Sequence, residues 1–153
     1  MKLTIPTGGT MTRLTKILGC PVTLFLFSSL ALGHVTVMPR ESAAGAEVRY
    51  SARVPTETAS PTVSVEVRFP EGLRVSEFEA NPGWTAVFQR DAAGTIVSVA
   101  IDGGSIPPRE SSEFSFLARN PSEAAELVWE IRQVYADGNS SDWTPATAVT
   151  NGN

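Results

Sequence analysis

Hydrophobic and polar residues alternate along several short segments of this chain. The clearest segment is Val63–Phe69, where each apolar side chain is separated from the next by Ser, Glu or Arg. Because successive side chains of a β-strand point to opposite faces, this period of two predicts a half-buried strand. The same alternation recurs in four further segments: Ala86–Gln89, Val97–Ile101, Phe114–Phe116 and Leu127–Arg132. The pattern therefore predicts a series of short strands.

Turn-forming sequences separate the predicted strands. They include Pro70-Glu71-Gly72, Asn81-Pro82-Gly83, Asp102-Gly103-Gly104 and Asp137-Gly138-Asn139. Proline fixes φ and glycine allows a positive φ, which are the conformations that tight turns need. We therefore expect an all-β protein, an antiparallel β-sandwich of about seven or eight strands.

Two segments near the end of the chain depart from this pattern. Ser122–Leu127 is the only stretch with a helical pattern, and it predicts one or two turns of helix. Residues 146–153 are small and polar, and we predict that they form a flexible C-terminal tail. The sandwich domain is accordingly assigned to residues 34–145.

The first 33 residues have the composition of a signal peptide. Basic residues, with no acidic residue among them, precede an apolar stretch from Val22 to Leu32. This stretch is shorter than the roughly 20 residues that cross a bilayer. Ala31 and Gly33 place small side chains at positions −3 and −1 of a cleavage site after Gly33. We predict that residues 1–33 are removed and that the mature protein is periplasmic or secreted.

The sequence allows two other fates of the N-terminus. The apolar stretch would serve as an uncleaved N-terminal anchor if signal peptidase did not act. A lipoprotein site at Cys20 is disfavoured, because the apolar stretch follows this cysteine instead of preceding it.

Cleavage would change the composition of the chain. Loss of Lys2, Arg13 and Lys16 leaves nine of the 12 basic residues against 16 acidic ones, a formal charge of −7. Such an acidic protein is a poor partner for nucleic acid or anionic lipid. Loss of Cys20, the single cysteine, excludes disulfides, thiolate zinc sites and blue-copper centres. No later apolar run has membrane length, so no anchor is expected after cleavage.

The single histidine, His34, would become the first residue of the mature protein. Its α-amine and its Nδ1 atom could then bind one metal ion together in a six-membered ring. An α-amine has an unperturbed pKa of about 7.7–8.0, so a metal can displace its proton near neutral pH. Two nitrogen donors favour Cu(II), which heads the Irving–Williams series. The alternative is an exposed histidine with no metal role.

The sequence offers little support for enzymatic chemistry. A Ser-His-Asp or Cys-His site needs an imidazole on a folded scaffold beside the nucleophile, and the one imidazole here is at the predicted mature terminus. Neither a Gly-x-Ser-x-Gly motif nor a P-loop nor a dinucleotide-binding fingerprint occurs. We therefore expect a protein that is not an enzyme, although redox activity at a bound copper stays open.

Five motifs occur in order along the predicted mature chain: HVTVMPRESAAG, YSARVPTE, NPGW, FSFLARNP and VYADGNSSDWT. Together they resemble the YcnI family of extracytoplasmic copper-binding proteins. The resemblance implies a cupredoxin-like β-sandwich that binds one Cu(II) per chain through its mature N-terminal histidine, His34. It further implies that the glutamate of the VPxE segment, Glu57, completes this mono-histidine brace, and that the tryptophan of the last motif, Trp143, lies beside the metal.

The local sequence is compatible with both companion residues. Glu57 follows Pro55 at the end of a predicted strand, where its side chain can leave the sheet. The other interpretation is a solvated loop acid, and Glu41 and Glu47 are then the alternative carboxylates, since both lie near the terminus in sequence.

Trp143 follows a turn and lies outside any clear alternation, which suits a surface position. An aromatic face beside a cation contributes about 0.5–2 kcal/mol. The other interpretation of Trp143 is packing at the edge of the core. Trp84 and Trp129 are expected to be structural, because one follows a turn onto the core and the other alternates within a predicted strand.

The resemblance therefore implies an extracytoplasmic Cu(II) carrier, buffer or metallochaperone. Its partners would be the copper ion and other copper-handling proteins, without nucleic acid. An alternative function is an Ig-like adhesion or assembly module in which His34 has no metal role.

Overall fold

Twelve β-strands and no helix make up residues 33–79 and 81–151, the part of the chain that the computed structural model describes. The strands are β1 (Thr36–Met38), β2 (Glu41–Ala43), β3 (Glu47–Pro55), β4 (Thr62–Arg68), β5 (Arg74–Glu79), β6 (Thr85–Arg90), β7 (Ile96–Ile106), β8 (Ser111–Arg119), β9 (Ala125–Val128), β10 (Glu130–Tyr135), β11 (Ser140–Trp143) and β12 (Ala146–Thr150). The predicted signal peptide lies outside the described residues, apart from Gly33.

The described strands form three sheets, with the orders β1-β3-β8-β5, β11-β10-β4-β7-β6 and β2-β12-β9. Every pairing among them is antiparallel except that of β2 with β12. The expected all-β, antiparallel sandwich is confirmed. The expected number of seven or eight strands is wrong, because β1, β2, β9 and β11 have only three or four residues and show too little alternation to be recognised.

Aromatic side chains from strands and from the segments between strands meet in the core. Trp129 is fully buried, and its ring centroid lies 5.1 Å from that of Tyr50 and 5.3 Å from that of Phe116. Trp84 is also buried and meets the ring of Phe114 edge-on at 5.4 Å. Each such aromatic pair contributes about 0.5–1.5 kcal/mol beyond the area that it buries. The structural roles expected for Trp84 and Trp129 are confirmed.

The helix predicted for Ser122–Leu127 is wrong, since Ala125–Val128 forms strand β9. The sequence alternation through Trp129 is real, but it belongs to two strands. At Trp129 the chain leaves the sheet that contains β9 and enters the one that contains β10, and the Trp129 backbone N–H donates to the Pro145 carbonyl at 2.9 Å. Inward and outward side chains continue to alternate across this change of sheet.

The flexible tail predicted for residues 146–153 is also wrong over most of its length. Ala146–Thr150 forms β12, which is the middle strand of its sheet and pairs with both β2 and β9. Thr147 and Val149 are buried, and the Thr147 hydroxyl accepts the indole N–H of Trp129 at 3.1 Å. Small polar residues are tolerated here because the neighbouring strands satisfy the backbone on both sides.

Across residues 33–79 and 81–151 there is no helix of the length and hydrophobicity that crossing a membrane requires.

Candidate metal site

The first described residues bring His34 to one end of β3. Val35 and Val37 are buried, while His34 is exposed, so the first residues alternate between core and solvent. Strand β1 pairs with β3 in a register that sets Thr36 opposite Arg53. Continuing this antiparallel register sets His34 opposite Pro55, the last residue of β3, and Gly33 opposite Thr56.

Glu57 lies against the chain directly before His34. The backbone N–H of Gly33 donates a hydrogen bond to Oε1 of the Glu57 carboxylate. A Cβ added to Gly33 would lie 3.0 Å from the same oxygen and 3.2 Å from Pro55 Cβ, which shows how closely the two segments approach. The Glu57 side chain is otherwise exposed, so solvent and ions can reach it.

The backbone that carries Glu57 is fixed by the turn before β8. The N–H of Thr56 donates to the Glu110 carbonyl at 2.9 Å, and the N–H of Arg109 donates to the Thr56 carbonyl at 2.7 Å. Arg109 adopts a positive φ of 67°, which is unfavourable for a residue with a Cβ atom. The turn therefore binds both the backbone N–H and the carbonyl of Thr56, the residue before Glu57, at some cost in backbone strain at Arg109.

Trp143 approaches the site from another sheet. It ends β11, the edge strand of the five-stranded sheet, and lies opposite Ile131 of β10. Its ring is half-buried, packs against the core and meets the His34 ring edge-on, with 5.7 Å between centroids and 80° between planes. The structure thus places the His34 ring against Trp143 and the Glu57 carboxylate against Gly33, the residue before His34.

The two alternative carboxylates lie elsewhere. Glu41 belongs to β2, where it pairs with Ala148 and accepts a hydrogen bond from the Thr150 hydroxyl at 3.4 Å. Glu47 begins the nine-residue strand β3, whose other end is Pro55. At about 3.3 Å per residue, Glu47 is roughly 26 Å from the end of β3 that approaches His34. Glu57 is the carboxylate that the fold brings to the chain segment around His34.

A buried polar residue beneath the site was not singled out from the sequence. Gln133 of β10 is fully buried, and its side-chain oxygen accepts the indole N–H of Trp143 at 3.0 Å. Its side-chain N–H groups donate to the Pro55 carbonyl at 2.8 Å and to the Thr62 hydroxyl at 2.6 Å. The signal for it is present in the sequence, since Gln133 occupies an inward position of an alternating strand, between Ile131 and Tyr135.

The described residues contain no conventional multi-side-chain metal cluster. Within 33–79 and 81–151, no group of three or more His, Cys, Asp or Glu side chains is arranged to hold a metal ion. The region around His34 combines one imidazole, one carboxylate and one indole, together with the backbone nitrogen of residue 34. Cleavage after Gly33 would convert that nitrogen into an α-amine.

The sequence profile of one known family, described as "Domain of unknown function (DUF1775)", matches residues 34–153. The chain belongs to this family. A relative, the protein named "Copper-binding protein CutI" from Bacillus subtilis (strain 168), is 36% identical over 130 residues. The match covers 82% of this chain and 63% of the relative, so the chain spans less than two thirds of that protein's length. The YcnI-like resemblance of the sequence motifs is confirmed.

Solved structures show a similar fold. An uncharacterized protein from Nocardia farcinica, described as having an immunoglobulin-like fold, has a TM-score of 0.63 and 26% identity, covering 78% of this chain and 99% of that chain. A cohesin module from a family 33 glycoside hydrolase of Clostridium perfringens ATCC13124 has a TM-score of 0.52 and 15% identity, covering 78% and 97%. The second likeness shows the fold alone.

Proposed function

We propose that this protein binds one Cu(II) ion per chain outside the cytoplasm, at the N-terminus created by cleavage after Gly33. The ligands are the α-amine and imidazole of His34 and the carboxylate of Glu57, with Trp143 beside the metal. Two contacts carry the proposal. The His34 ring contacts Trp143, and the Glu57 carboxylate accepts the N–H of Gly33, the residue directly before His34.

The donor chemistry supports this assignment. Glu57 already accepts a hydrogen bond from the backbone immediately before His34, so its carboxylate is within reach of a new chain end at residue 34. One carboxylate also offsets part of the charge of a divalent cation. Nitrogen and oxygen donors without thiolate suit Cu(II) better than Cu(I). The half-buried indole would cover one side of the metal and limit the access of water.

The family relationship supports the choice of metal and of terminus. The relative named as a copper-binding protein is 36% identical over most of this chain. The family profile begins at residue 34, which is the first residue of the proposed mature protein.

The proposed role is copper carriage, buffering or delivery, with other copper-handling proteins as partners. We assign binding and no catalysis, because His34, Glu57 and Trp143 are all used in holding or covering the metal. Steady turnover of oxygen or peroxide by the copper-loaded protein, with a reductant, would contradict this role.

The first test is the mass of the secreted mature protein. We expect a start at His34, and a start at any other residue would remove the amine ligand and overturn the brace.

The second test is a Cu(II) competition titration of three proteins that begin at residue 34: wild type, His34→Ala and wild type with an acetylated N-terminus. Acetylation removes the amine while keeping every side chain, and it avoids the new copper-binding termini that one or two added residues would create. We expect tight one-to-one binding by wild type and a loss of at least about 100-fold in both altered proteins, the upper end of effects seen for groups that only support a ligand. Unchanged binding after acetylation would show that the amine is not a ligand.

A further inference from the structure

Gln133 is a polar residue in a position that the strand pattern reserves for apolar side chains. It lies between Ile131 and Tyr135 on the inward face of β10 and has no exposed surface. A buried amide without partners would cost several kcal/mol on transfer from water, so such groups persist only when they are hydrogen-bonded. The three hydrogen bonds of Gln133 therefore identify the groups that it positions.

The partners of Gln133 fix the orientation of its amide. The indole N–H of Trp143 can only donate, so the side-chain oxygen must face it. The carbonyl of Pro55 can only accept, so the side-chain nitrogen must face the other way. Both requirements give the same orientation, and the second N–H then meets the Thr62 hydroxyl.

The hydrogen bonds continue in one direction beyond Gln133. The Thr56 hydroxyl donates to the Ile106 carbonyl at 3.0 Å, which commits its proton. The Thr62 hydroxyl, 2.6 Å away, must therefore donate to Thr56 while it accepts from Gln133. All of these side chains except that of Trp143 are buried, and no buried side-chain nitrogen or oxygen of the described residues lacks a partner. A fully satisfied network of this kind is rigid.

This network joins the two halves of the candidate site. At one end it holds the indole of Trp143, whose ring contacts His34. At the other end Gln133 holds the Pro55 carbonyl directly and Thr56 through the Thr62 hydroxyl, and these are the two residues before Glu57. We propose that Gln133 is a positioning residue: its amide fixes the Trp143 indole against His34 and ties it to the segment that carries Glu57. The consequence for copper binding rests on the proposed function, whereas the positioning itself does not.

The positioning can be measured without metal. In a ¹⁵N-labelled protein beginning at residue 34, the indole N–H signal of Trp143 is identified by its disappearance in Trp143→Phe. We expect it to exchange with solvent more slowly than an open indole in wild type, and to exchange faster and shift in Gln133→Met, which keeps the size of the side chain but removes the acceptor. Fast exchange in the wild-type protein would overturn the proposal even if Gln133→Met failed to fold.

The effect on copper is tested by a double-mutant cycle of Gln133→Met and Trp143→Phe. If Gln133 acts through the indole, Gln133→Met weakens Cu(II) binding by about tenfold, the lower end of what removal of a supporting group costs a metal site. In the Trp143→Phe background, the same substitution should then change the dissociation constant by less than about twofold. Equal effects of Gln133→Met in both backgrounds would show a general structural role and would overturn the proposal.

Thr62→Val provides the matched control. It breaks the same buried network on the side away from the indole and leaves the bond from Trp143 to Gln133 in place. We expect lower stability with an indole signal close to that of wild type. If Thr62→Val moved the signal as far as Gln133→Met does, loss of packing would explain both and the inference would fail. Absence of copper binding by wild type would reject the proposed function, while the exchange of the indole N–H would still decide the role of Gln133.

Discussion

Trp129 and Trp143 are two indoles of one fold in different surroundings. Both donate their N–H to a neighbouring side chain, Thr147 in one case and Gln133 in the other. Trp129 has no exposed surface and is packed among other aromatic rings, whereas Trp143 is half-buried on an edge strand and contacts His34. A satisfied N–H is common to both, so it does not distinguish a core residue from a site residue. The distinction lies in what the ring faces.

The largest expected difference between the two is in stability. Trp129→Ala should lower the free energy of unfolding by about 3–5 kcal/mol, because it empties a closed part of the core. Trp143→Ala should cost about 1–2 kcal/mol, since solvent fills part of the space. Chemical denaturation monitored by far-UV circular dichroism measures both. Equal losses would mean that Trp143 is as much a core residue as Trp129.

A change of pH provides a second way to distinguish the two regions, because the proposed metal ligands lie near His34 and not in the core around Trp129. Protons compete with the metal for the α-amine, whose unperturbed pKa is about 7.7–8.0, so Cu(II) affinity should fall as pH falls, by at least about tenfold between pH 8 and pH 6. A competition titration at several pH values checks this. The Trp129→Ala protein, where it folds, should show the same dependence as wild type. A flat profile would contradict nitrogen ligation.

A third comparison removes the hydrogen-bond partner of the core indole. Thr147→Val keeps the shape of the side chain but leaves the Trp129 N–H without an acceptor in a buried place, which should cost about 1 kcal/mol of stability. Copper affinity should be unchanged, in contrast to Gln133→Met. Denaturation and a Cu(II) titration of the same sample provide the two readouts. Weaker copper binding in Thr147→Val would erase the distinction between the two indoles.

The smallest expected effect concerns the turn that holds Thr56. Arg109→Gly should raise stability by about 0.5–1 kcal/mol, because glycine adopts the positive φ at this position without a Cβ clash. Both backbone bonds to Thr56 remain possible, so the segment before Glu57 should keep its place. A thermal unfolding curve measures the change, with Arg119→Gly on β8 as a strand control that should be destabilised.

The sequence predicted the parts of this fold that have a simple period. Val63–Phe69 was expected to be a strand from its alternation, and Thr62–Arg68 is β4. The alternation could not show that the chain changes sheet at Trp129, because buried and exposed side chains alternate without interruption from β9 into β10. Residues 146–153 were predicted to be a tail because hydrophobicity is low there, yet a strand between two neighbours is held largely by backbone pairing.

The residues of the candidate site were also predicted only in part. The resemblance implied that His34, Glu57 and Trp143 are neighbours; in the structure the His34 ring meets that of Trp143, and Glu57 accepts the N–H of Gly33, the residue before His34. Gln133 was not predicted as part of the site, because its partners Pro55 and Thr62 are 78 and 71 residues away in sequence. Its meaning depends on contacts that only the folded chain creates. A polar residue at an inward strand position was the available signal.

Strands β1 and β11 are each the outermost strand of a different sheet, with one hydrogen-bonded neighbour apiece. The ring of His34, just before β1, and that of Trp143, at the end of β11, therefore meet across the seam between the sheets. Separating these two edge strands breaks fewer backbone hydrogen bonds than moving an inner strand, so local opening at this seam should cost less than opening the inside of either sheet. The proposed metal site therefore lies between two edge strands, whose separation would leave the inner strands paired.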